Sequence, residues 1–151
     1  MKIVVLKFGG TSVGTIERIK KVADIISNFR KKNYKVIVVS SAMSGVTNDL
    51  IKKSRQISNN FSDFEYDVLV SSGEQVACSL IAGRLNHKGF KSRSWLGWQI
   101  PIYTNGPHKN SRIDSVNKNK IIKFLKEGGI PIITGFQGIS RDERVTTIGR
   151  G

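Results

Sequence analysis

Residues 2–14 read KIVVLKFGGTSVG and join a strand-like run to a glycine-rich turn. Residues 2–8 are mostly β-branched or apolar, which is the pattern of a buried strand. Gly9 and Gly10 interrupt this run. From Thr15 to Lys32 the apolar residues recur at spacings of three and four, which predicts an amphipathic helix. A strand, a tight turn and a helix in this order are typical of the first unit of a parallel α/β sheet.

The rest of the chain repeats this alternation of short apolar runs and helical patterns. Three further apolar or β-branched runs predict strands at 35–41, 91–98 and 130–136. Helical spacing predicts further helices at 47–58, 68–85 and 116–126. Strands that alternate with helices imply right-handed crossovers. The fold class predicted is therefore α/β, with a mainly parallel sheet that has helices on both faces.

Two stretches do not fit the alternation. The turn-rich segment 99–110 predicts a surface loop, because Pro101, Gly106 and Pro107 interrupt it. Residues 137–149 predict a β-hairpin with its turn near Asp142. No repeat, low-complexity tract or linker divides the chain, so we expect a single α/β unit.

Length and composition restrict the class of protein. With 151 residues, 38% hydrophobic and 24% charged, the chain has the composition of one globular domain. No apolar run approaches the roughly 20 residues that a membrane-spanning helix requires, and residues 1–10 do not have the pattern of a secretory signal. Cys78 is the single cysteine, which excludes an internal disulfide. We therefore expect a cytoplasmic protein without a membrane partner.

The formal net charge of +14 raises the possibility of a polyanionic partner. The basic residues are spread along the chain, without a dense tract or interleaved aromatic residues. Solvated helix faces explain this distribution, and basic charge alone specifies no groove or base contact. We expect no nucleic-acid partner, and a basic nucleic-acid-binding domain remains the less favoured alternative.

The turn after the first predicted strand is a candidate phosphate site. Gly9 and Gly10 allow backbone N–H groups to approach a phosphate, and the following helix N-terminus adds partial positive charge. Lys7 adds a full charge at the same strand end. The turn is not a Walker A loop, since Thr15 and Ile16 stand where Lys and Ser/Thr are required. A tight turn without a ligand is the alternative interpretation.

Polar residues at two other places form further candidates. The hydroxyl-rich segment 40–49 follows the second predicted strand and could hold a small polar substrate, or Thr47 could simply cap a helix. Ser71 and Glu74 have the spacing of a capping box. The Glu74 carboxylate could instead bind a substrate ammonium group.

The chain ends with a candidate anion-binding arginine, and no metal cluster is visible. Arg150 could bind a carboxylate or phosphate in a bidentate manner, or it could be an exposed terminal residue. His87 and His108 lie in unrelated segments, and Cys78 lies in an apolar helical stripe. We therefore predict no protein-bound metal.

Four blocks taken together resemble the N-terminal catalytic region of the aspartate kinases, which belong to the amino-acid kinase family. The blocks are KFGGTSVG (7–14), SSAMSGVTNDL (40–50), SSGEQVA (71–77), and ITGFQG (133–138) with RVTTIGRG (144–151). The resemblance extends over residues 2–151 and is weakest around 53–66. It implies the carbamate kinase-like fold. It also implies transfer of phosphate from ATP to L-aspartate, giving 4-phospho-L-aspartate and ADP, the first step of lysine, methionine and threonine biosynthesis.

The resemblance also implies roles for individual residues. Lys7 would be catalytic, stabilising the transferring phosphoryl group, and the ATP phosphates would also contact Gly9, Gly10, Thr11, Ser12 and Ser41. The substrate aspartate would contact Ser41, Thr47, Glu74 and Arg150, with Glu74 facing its amine and Arg150 its α-carboxylate. Mg²⁺ would enter bound to ATP, because phosphoryl transfer needs mainly positioning and charge neutralisation from the protein.

The resemblance further implies that residues 1–151 are the incomplete N-terminal lobe of an amino-acid kinase domain. In that family the GRG sequence continues as GRGGSD, followed by the nucleotide-binding half and by ACT domains. We therefore expect weak activity or none from the 151 residues alone. The expected partners are L-aspartate, ATP, and either a second copy or a complementing C-terminal chain. A non-catalytic binding or assembly module built on the same lobe is the main alternative, since an exposed sheet edge favours association.

Overall fold

The structure is a computed structural model that describes residues 2–149. Its elements follow in chain order: β1 (Ile3–Phe8), α1 (Ile16–Lys31), β2 (Lys35–Ser40), α2 (Val46–Ile57), α3 (Asp63–His87), β3 (Ser92–Trp95), β4 (Ile102–Asn105), β5 (Arg112–Val116), α4 (Asn119–Lys126), β6 (Ile130–Thr134), β7 (Gln137–Ile139) and β8 (Val145–Thr147).

The first sheet, sheet A, contains the four strands predicted from the apolar runs. Their order is β1-β2-β6-β3, and all neighbouring pairs are parallel. Phe8 pairs with Ser40, and Ser40 pairs with Thr134, so three strands end at the same level. The parallel α/β class is therefore confirmed. The loops that follow these strands meet at one edge of the sheet.

Helices cover both faces of sheet A, as predicted. On one face α1 and α3 enclose a core that includes Ile26, Val38, Ile81 and Ile132, all fully buried. On the other face α4 packs through Leu125 against the second core cluster. These two cores fix the strands whose ends carry the candidate site.

The prediction that β1 is a buried strand is wrong for one of its faces. Val4 and Leu6 pack against the core under α1 and α3, whereas Ile3 and Val5 on the other face are 44% and 60% exposed. The strand lies at the edge of sheet A. Although residues 3–6 of β1 form a continuous apolar run, only one face of this strand is covered by other described residues.

The second sheet, sheet B, has the order β5-β4-β7-β8 and was only half predicted. Its β7–β8 pair is antiparallel, which confirms the hairpin predicted for residues 137–149. The loop predicted for residues 99–110 is wrong, because β4 occupies part of it and pairs with both β5 and β7. Val116 belongs to β5 and not to the following helix. A four-residue strand is stabilised mainly by pairing with distant residues, which local sequence does not reveal.

The predicted helix starts are right for α1 and wrong for α2 and α3. Thr15 caps α1 by accepting a hydrogen bond from the Arg18 N–H at 3.3 Å. Gly45, with φ of 85°, precedes α2, so Thr47 lies inside the helix. The capping box proposed for Ser71 and Glu74 is absent, because α3 begins eight residues before Ser71, at Asp63. The Ser71 hydroxyl instead donates to the Val68 carbonyl at 3.0 Å.

Candidate active site at the strand ends

A cleft of about 910 Å³ lies at the carboxyl ends of the sheet A strands. The loops after β1, β2 and β6 line it together with the start of α2, one side chain of α3, and sheet B. In open parallel sheets this edge is the usual place for a ligand. The volume is large enough for a small metabolite together with part of a nucleotide.

The structure brings most of the predicted site residues into this one cleft. Six of them line it: Lys7, Gly10, Thr11, Ser41, Thr47 and Glu74. Gly9 and Ser12 do not line it; the Ser12 N–H donates to the Gly9 carbonyl at 2.9 Å and closes a turn beside it. Arg150 lies outside the described residues, so its predicted role stays a prediction.

The loops after β1 and β2 are in direct contact. The Ser41 N–H donates to the Phe8 carbonyl at 3.0 Å, which continues the pairing of the two strands into their loops. A Cβ added at Gly10 would lie 3.2 Å from the Ala42 carbonyl oxygen. Glycine therefore allows the first loop to approach the second, and this approach places Lys7 and Thr11 on the same cleft as Ser41.

The N-terminus of α2 opens onto the cleft through Gly45, Thr47 and Asn48. No side chain caps this end at Gly45. The first backbone N–H groups of a helix have no acceptor within the helix and give its N-terminus a partial positive charge. Since Thr47 is not the cap, its hydroxyl is not required for that role and lies at the cleft.

Glu74 connects α3 to the loop after β2. Its side chain is only 2% exposed, and its Oε1 atom accepts a hydrogen bond from the Ala42 N–H at 3.3 Å. Burial raises the pKa of the neighbouring Cys78 thiol to about 12, and the Glu74 charge acts in the same direction. Such an inert thiol fits a structural cysteine. Glu74 thus lines the cleft while a backbone hydrogen bond helps to hold its side chain in position.

The chemical character of the cleft follows from its lining. Among the described lining residues, Lys7 is the single basic side chain and Glu74 the single acidic one. The hydroxyls come from the loops after β1 and β2, from the start of α2 and from the end of β6, and sheet B contributes apolar side chains, including Ile102, Ile113 and Val116. A cation, a carboxylate and an uncapped helix end in one half-apolar cleft can bind a small molecule that carries both amine and acidic groups.

The sequence patterns missed one feature of the cleft and gave no role to one residue of the ITGFQG block. The feature is the apolar wall from sheet B, whose strands lie in the stretch predicted as a loop. The residue is Gln137, which is buried and bridges two elements: its Oε1 accepts from the Gly97 N–H at 3.1 Å, and its Nε2 donates to the Ser71 carbonyl at 3.0 Å. The available signal was the place of Gln137 in the ITGFQG block, three residues after the last residue of β6.

Residues 2–149 contain neither a cluster of metal ligands nor a membrane-spanning helix. Within this part of the chain, no three His, Cys, Asp or Glu side chains come together as metal ligands would. No described helix combines the length and apolar character needed to cross a membrane.

The fold and the cleft define an α/β protein with a candidate ligand site at the carboxyl ends of parallel strands. The chain belongs to the amino acid kinase family, whose model matches residues 2–151. It is 48% identical to an aspartokinase of Rickettsia conorii over 154 aligned residues, which is 100% of this chain and 38% of that protein. The chain therefore spans well under half the length of this relative.

Solved structures agree with this assignment. The aspartate kinase from Synechocystis is 37% identical, with a TM-score of 0.79, and the match covers 100% of this chain and 24% of that one. E. coli aspartokinase III in complex with aspartate and ADP has a TM-score of 0.84 at 23% identity, covering 100% of this chain and 44% of that one. At that identity the second likeness shows the fold alone, and it confirms the predicted amino-acid kinase fold.

Proposed function

We propose that the chain is the N-terminal lobe of an aspartate kinase, and that it binds L-aspartate and the phosphates of ATP. The reaction would transfer the γ-phosphoryl group to the β-carboxylate, giving 4-phospho-L-aspartate and ADP. The observation that carries this proposal is that Lys7, Thr47 and Glu74 line one cleft although they come from three separate sequence blocks. The 48% identity to an aspartokinase selects this reaction among those of the family.

The phosphate side of the site is assigned to Lys7 and the loop after β1. Lys7 would neutralise charge on the transferring phosphoryl group, and the backbone near Gly10 and Thr11 would contact the phosphates. Phosphoryl transfer depends mostly on such positioning and electrostatic stabilisation. The structure supports the assignment by placing Lys7 beside Thr11 and Ser41 on the cleft. Mg²⁺ would enter with ATP as part of the substrate complex.

The acceptor side is assigned to Glu74 and the start of α2. The Glu74 carboxylate would pair with the substrate amine, and Thr47 with the uncapped end of α2 would receive a substrate carboxylate. Opposite charges favour these contacts more strongly in a partly buried cleft than in water. Arg150 would pair with the α-carboxylate, a role that remains a prediction from sequence.

The remaining part of the nucleotide site would come from a further segment or chain. The 151 residues correspond to 38% of the Rickettsia conorii relative. We propose that the remaining part of the nucleotide site is supplied by a further segment of the same protein or by a complementing C-terminal chain, and that a second copy of the lobe is a further possible partner. Weak turnover or none is then expected from the lobe alone.

Isothermal titration of the chain with L-aspartate and with Mg·ATP tests the binding half of the proposal. We expect Glu74→Gln to weaken L-aspartate at least tenfold, and Lys7→Met to weaken Mg·ATP at least tenfold, which is about 1.4 kcal/mol of binding free energy. Lys35→Met is the matched control. Lys35 is the first residue of β2, so it lies at the amino-terminal end of the strand, whereas the cleft lies at the carboxyl ends. Absence of L-aspartate binding by the unchanged chain, or equal effects of the two lysine changes, would refute the proposal.

A coupled ADP-release assay tests the catalytic half. We expect turnover to appear, or to rise strongly, when a C-terminal half of an aspartokinase is added, and Lys7→Met to abolish that gain. Ordinary turnover by the isolated chain would contradict the proposed need for a partner.

The exposed outer face of β1 favours a second candidate function, a non-catalytic assembly module. Ile3 and Val5 lie next to each other on this face of the edge strand, and unpaired edges favour association. Sedimentation velocity at several concentrations separates the two functions. Association that Val5→Lys abolishes, without any ligand binding, would support the assembly module.

A further inference from the structure

Asp67 is a fully buried carboxylate outside the cleft, on the first half of α3. It is 0% exposed and accepts hydrogen bonds from three residues. His108 Nδ1 lies 2.6 Å from its Oδ2, Thr147 Oγ1 lies 2.5 Å from its Oδ1, and the Lys109 N–H lies 3.1 Å from both oxygens. A buried carboxylate is tolerated only when donors surround it. These donors are therefore tied to α3.

The donors belong to two parts of sheet B that border the cleft. His108 and Lys109 lie in the turn between β4 and β5, and Thr147 ends β8. The two parts are also joined by backbone, because the Ser111 N–H donates to the Thr147 carbonyl at 2.9 Å and the Gly149 N–H to the Ser111 carbonyl at 3.4 Å. Asp67 is the side-chain anchor of this junction.

The chain that follows Thr147 forms one wall of the cleft. Ile148 and Gly149 both line it, and the Ile148 N–H donates to the Phe136 carbonyl at 2.9 Å. The anchored residue is thus adjacent to the wall, and a shift of Thr147 would move Ile148 with it.

The same helix carries Glu74, which also lines the cleft. Asp67 and Glu74 are seven residues apart, close to two helical turns, so they point to the same side of α3 at a rise of about 10 Å. Between them the Ser71 carbonyl accepts the hydrogen bond from Gln137. One rigid helix therefore holds both the Ala42 loop, through Glu74, and the wall of Ile148 and Gly149, through Asp67.

We infer that Asp67 is a positioning residue for the acceptor site, setting the distance between the Ile148–Gly149 wall and Glu74. The inference rests on the proposed function for the identity of the ligand, L-aspartate. Asp67 acts through Thr147 and the 107–111 turn and does not touch the ligand. Its loss should therefore impair L-aspartate binding selectively and leave the loop after β1 intact.

The test combines amide hydrogen exchange with titration of two ligands. In Asp67→Asn an amide N–H₂ replaces one oxygen and faces donors, so the junction should loosen. We expect the amides of Ser111, Ile148 and Gly149 to exchange at least tenfold faster, and L-aspartate to bind at least tenfold more weakly. Mg·ATP binding should stay within twofold, a split that general destabilisation would not produce.

Three further variants keep the test decisive if Asp67→Asn does not fold. Thr147→Val removes one donor and should show the same selective loss to a smaller extent, and Thr147→Ser should restore binding because it keeps the hydroxyl. Thr146→Val is the matched control in the same strand: it removes the buried Thr104–Thr146 hydrogen bond of 2.6 Å, which does not involve Asp67.

The outcomes separate this inference from the proposed function. Equal effects of Thr147→Val and Thr146→Val on exchange and on L-aspartate binding overturn the inference, as does a parallel loss of both ligands. If the unchanged chain binds no L-aspartate, the proposed function fails. In that case hydrogen exchange alone tests the role of Asp67 as an anchor. If the Ile148 and Gly149 amides exchange faster in Thr147→Val than in Thr146→Val, the anchoring of Thr147 by Asp67 is supported, and equal exchange in the two variants overturns it.

Discussion

Gly73 and Gly83 lie on the same helix, and alanine should stabilise the protein at Gly83 but not at Gly73. A Cβ at Gly73 would lie 2.9 Å from the Ala42 Cβ and 3.1 Å from the Val46 Cγ1. At Gly83, leaving aside the backbone of the helix itself, no described atom lies within 4 Å of an added Cβ. Only Gly73 is therefore needed for close packing.

The magnitudes follow from two separate terms. Replacing glycine by alanine inside a helix stabilises it by about 1 kcal/mol, a gain that both positions share. Overpacking at Gly73 costs about 1–3 kcal/mol, because the Ala42 loop and the first turn of α2 must move. We expect Gly83→Ala to raise the free energy of unfolding by about 1 kcal/mol. The free energy of unfolding of Gly73→Ala should be about 1–3 kcal/mol lower than that of Gly83→Ala. Because both variants share the gain in helix propensity, this difference measures the steric cost at Gly73.

Thermal and urea unfolding of the two variants would measure this difference. For a chain of this length 1 kcal/mol corresponds to about 2–4 °C in Tm. Gly73→Ala should also weaken L-aspartate binding, because a displaced Ala42 lengthens its 3.3 Å hydrogen bond to Glu74. Equal stability of the two variants would refute the close contact of α3 with the cleft loop. Unchanged L-aspartate affinity in Gly73→Ala would refute its effect on the site.

Two further predictions concern buried polar groups. Burial raises the pKa of Cys78 from 9.0 to about 12, so the unfolded thiol ionises first and the stabilisation is complete below pH 9. It should be lost between about pH 9 and 12, by up to about 4 kcal/mol. Urea unfolding from pH 8 to 11 should show a steeper decline for the unchanged chain than for Cys78→Ala, and parallel curves would contradict this. Gln137→Leu leaves the Gly97 N–H and the Ser71 carbonyl without their side-chain partner. It should lower the free energy of unfolding by about 2–4 kcal/mol, and a loss below about 1 kcal/mol in denaturant titration would argue against the bridge.

The elements that local sequence predicted are those with strong periodic patterns. The apolar runs at 35–41 and 130–136 became β2 and β6 because each strand lies in the sheet interior, where β-branched residues are favoured. The helix after Thr15 starts as predicted because its cap is a local contact. The prediction that Lys7, Thr47 and Glu74 belong to one site had two grounds. One was the rule that ligands bind at the carboxyl ends of parallel strands, and the other was the family resemblance.

The errors arose where one local pattern suits two structures. Ser71 and Glu74 have the spacing of a capping box, but the same spacing occurs inside a helix, where both residues face inward from α3. The strand β4 was missed because its four residues are stabilised by β5 and β7 and not by their own pattern.

The sequence by itself determined the parallel α/β order, because periodicity is encoded locally, and the four motif blocks indicated the family and six of the residues that line the cleft. Only the tertiary structure decided that the single helix α3 contacts both the Ala42 loop, through Glu74, and the end of β8, through Asp67. Asp67 meets its partners 41 and 80 residues along the chain. A hydrogen bond at such a separation depends on how the two sheets pack around the helix, and no local pattern specifies that packing.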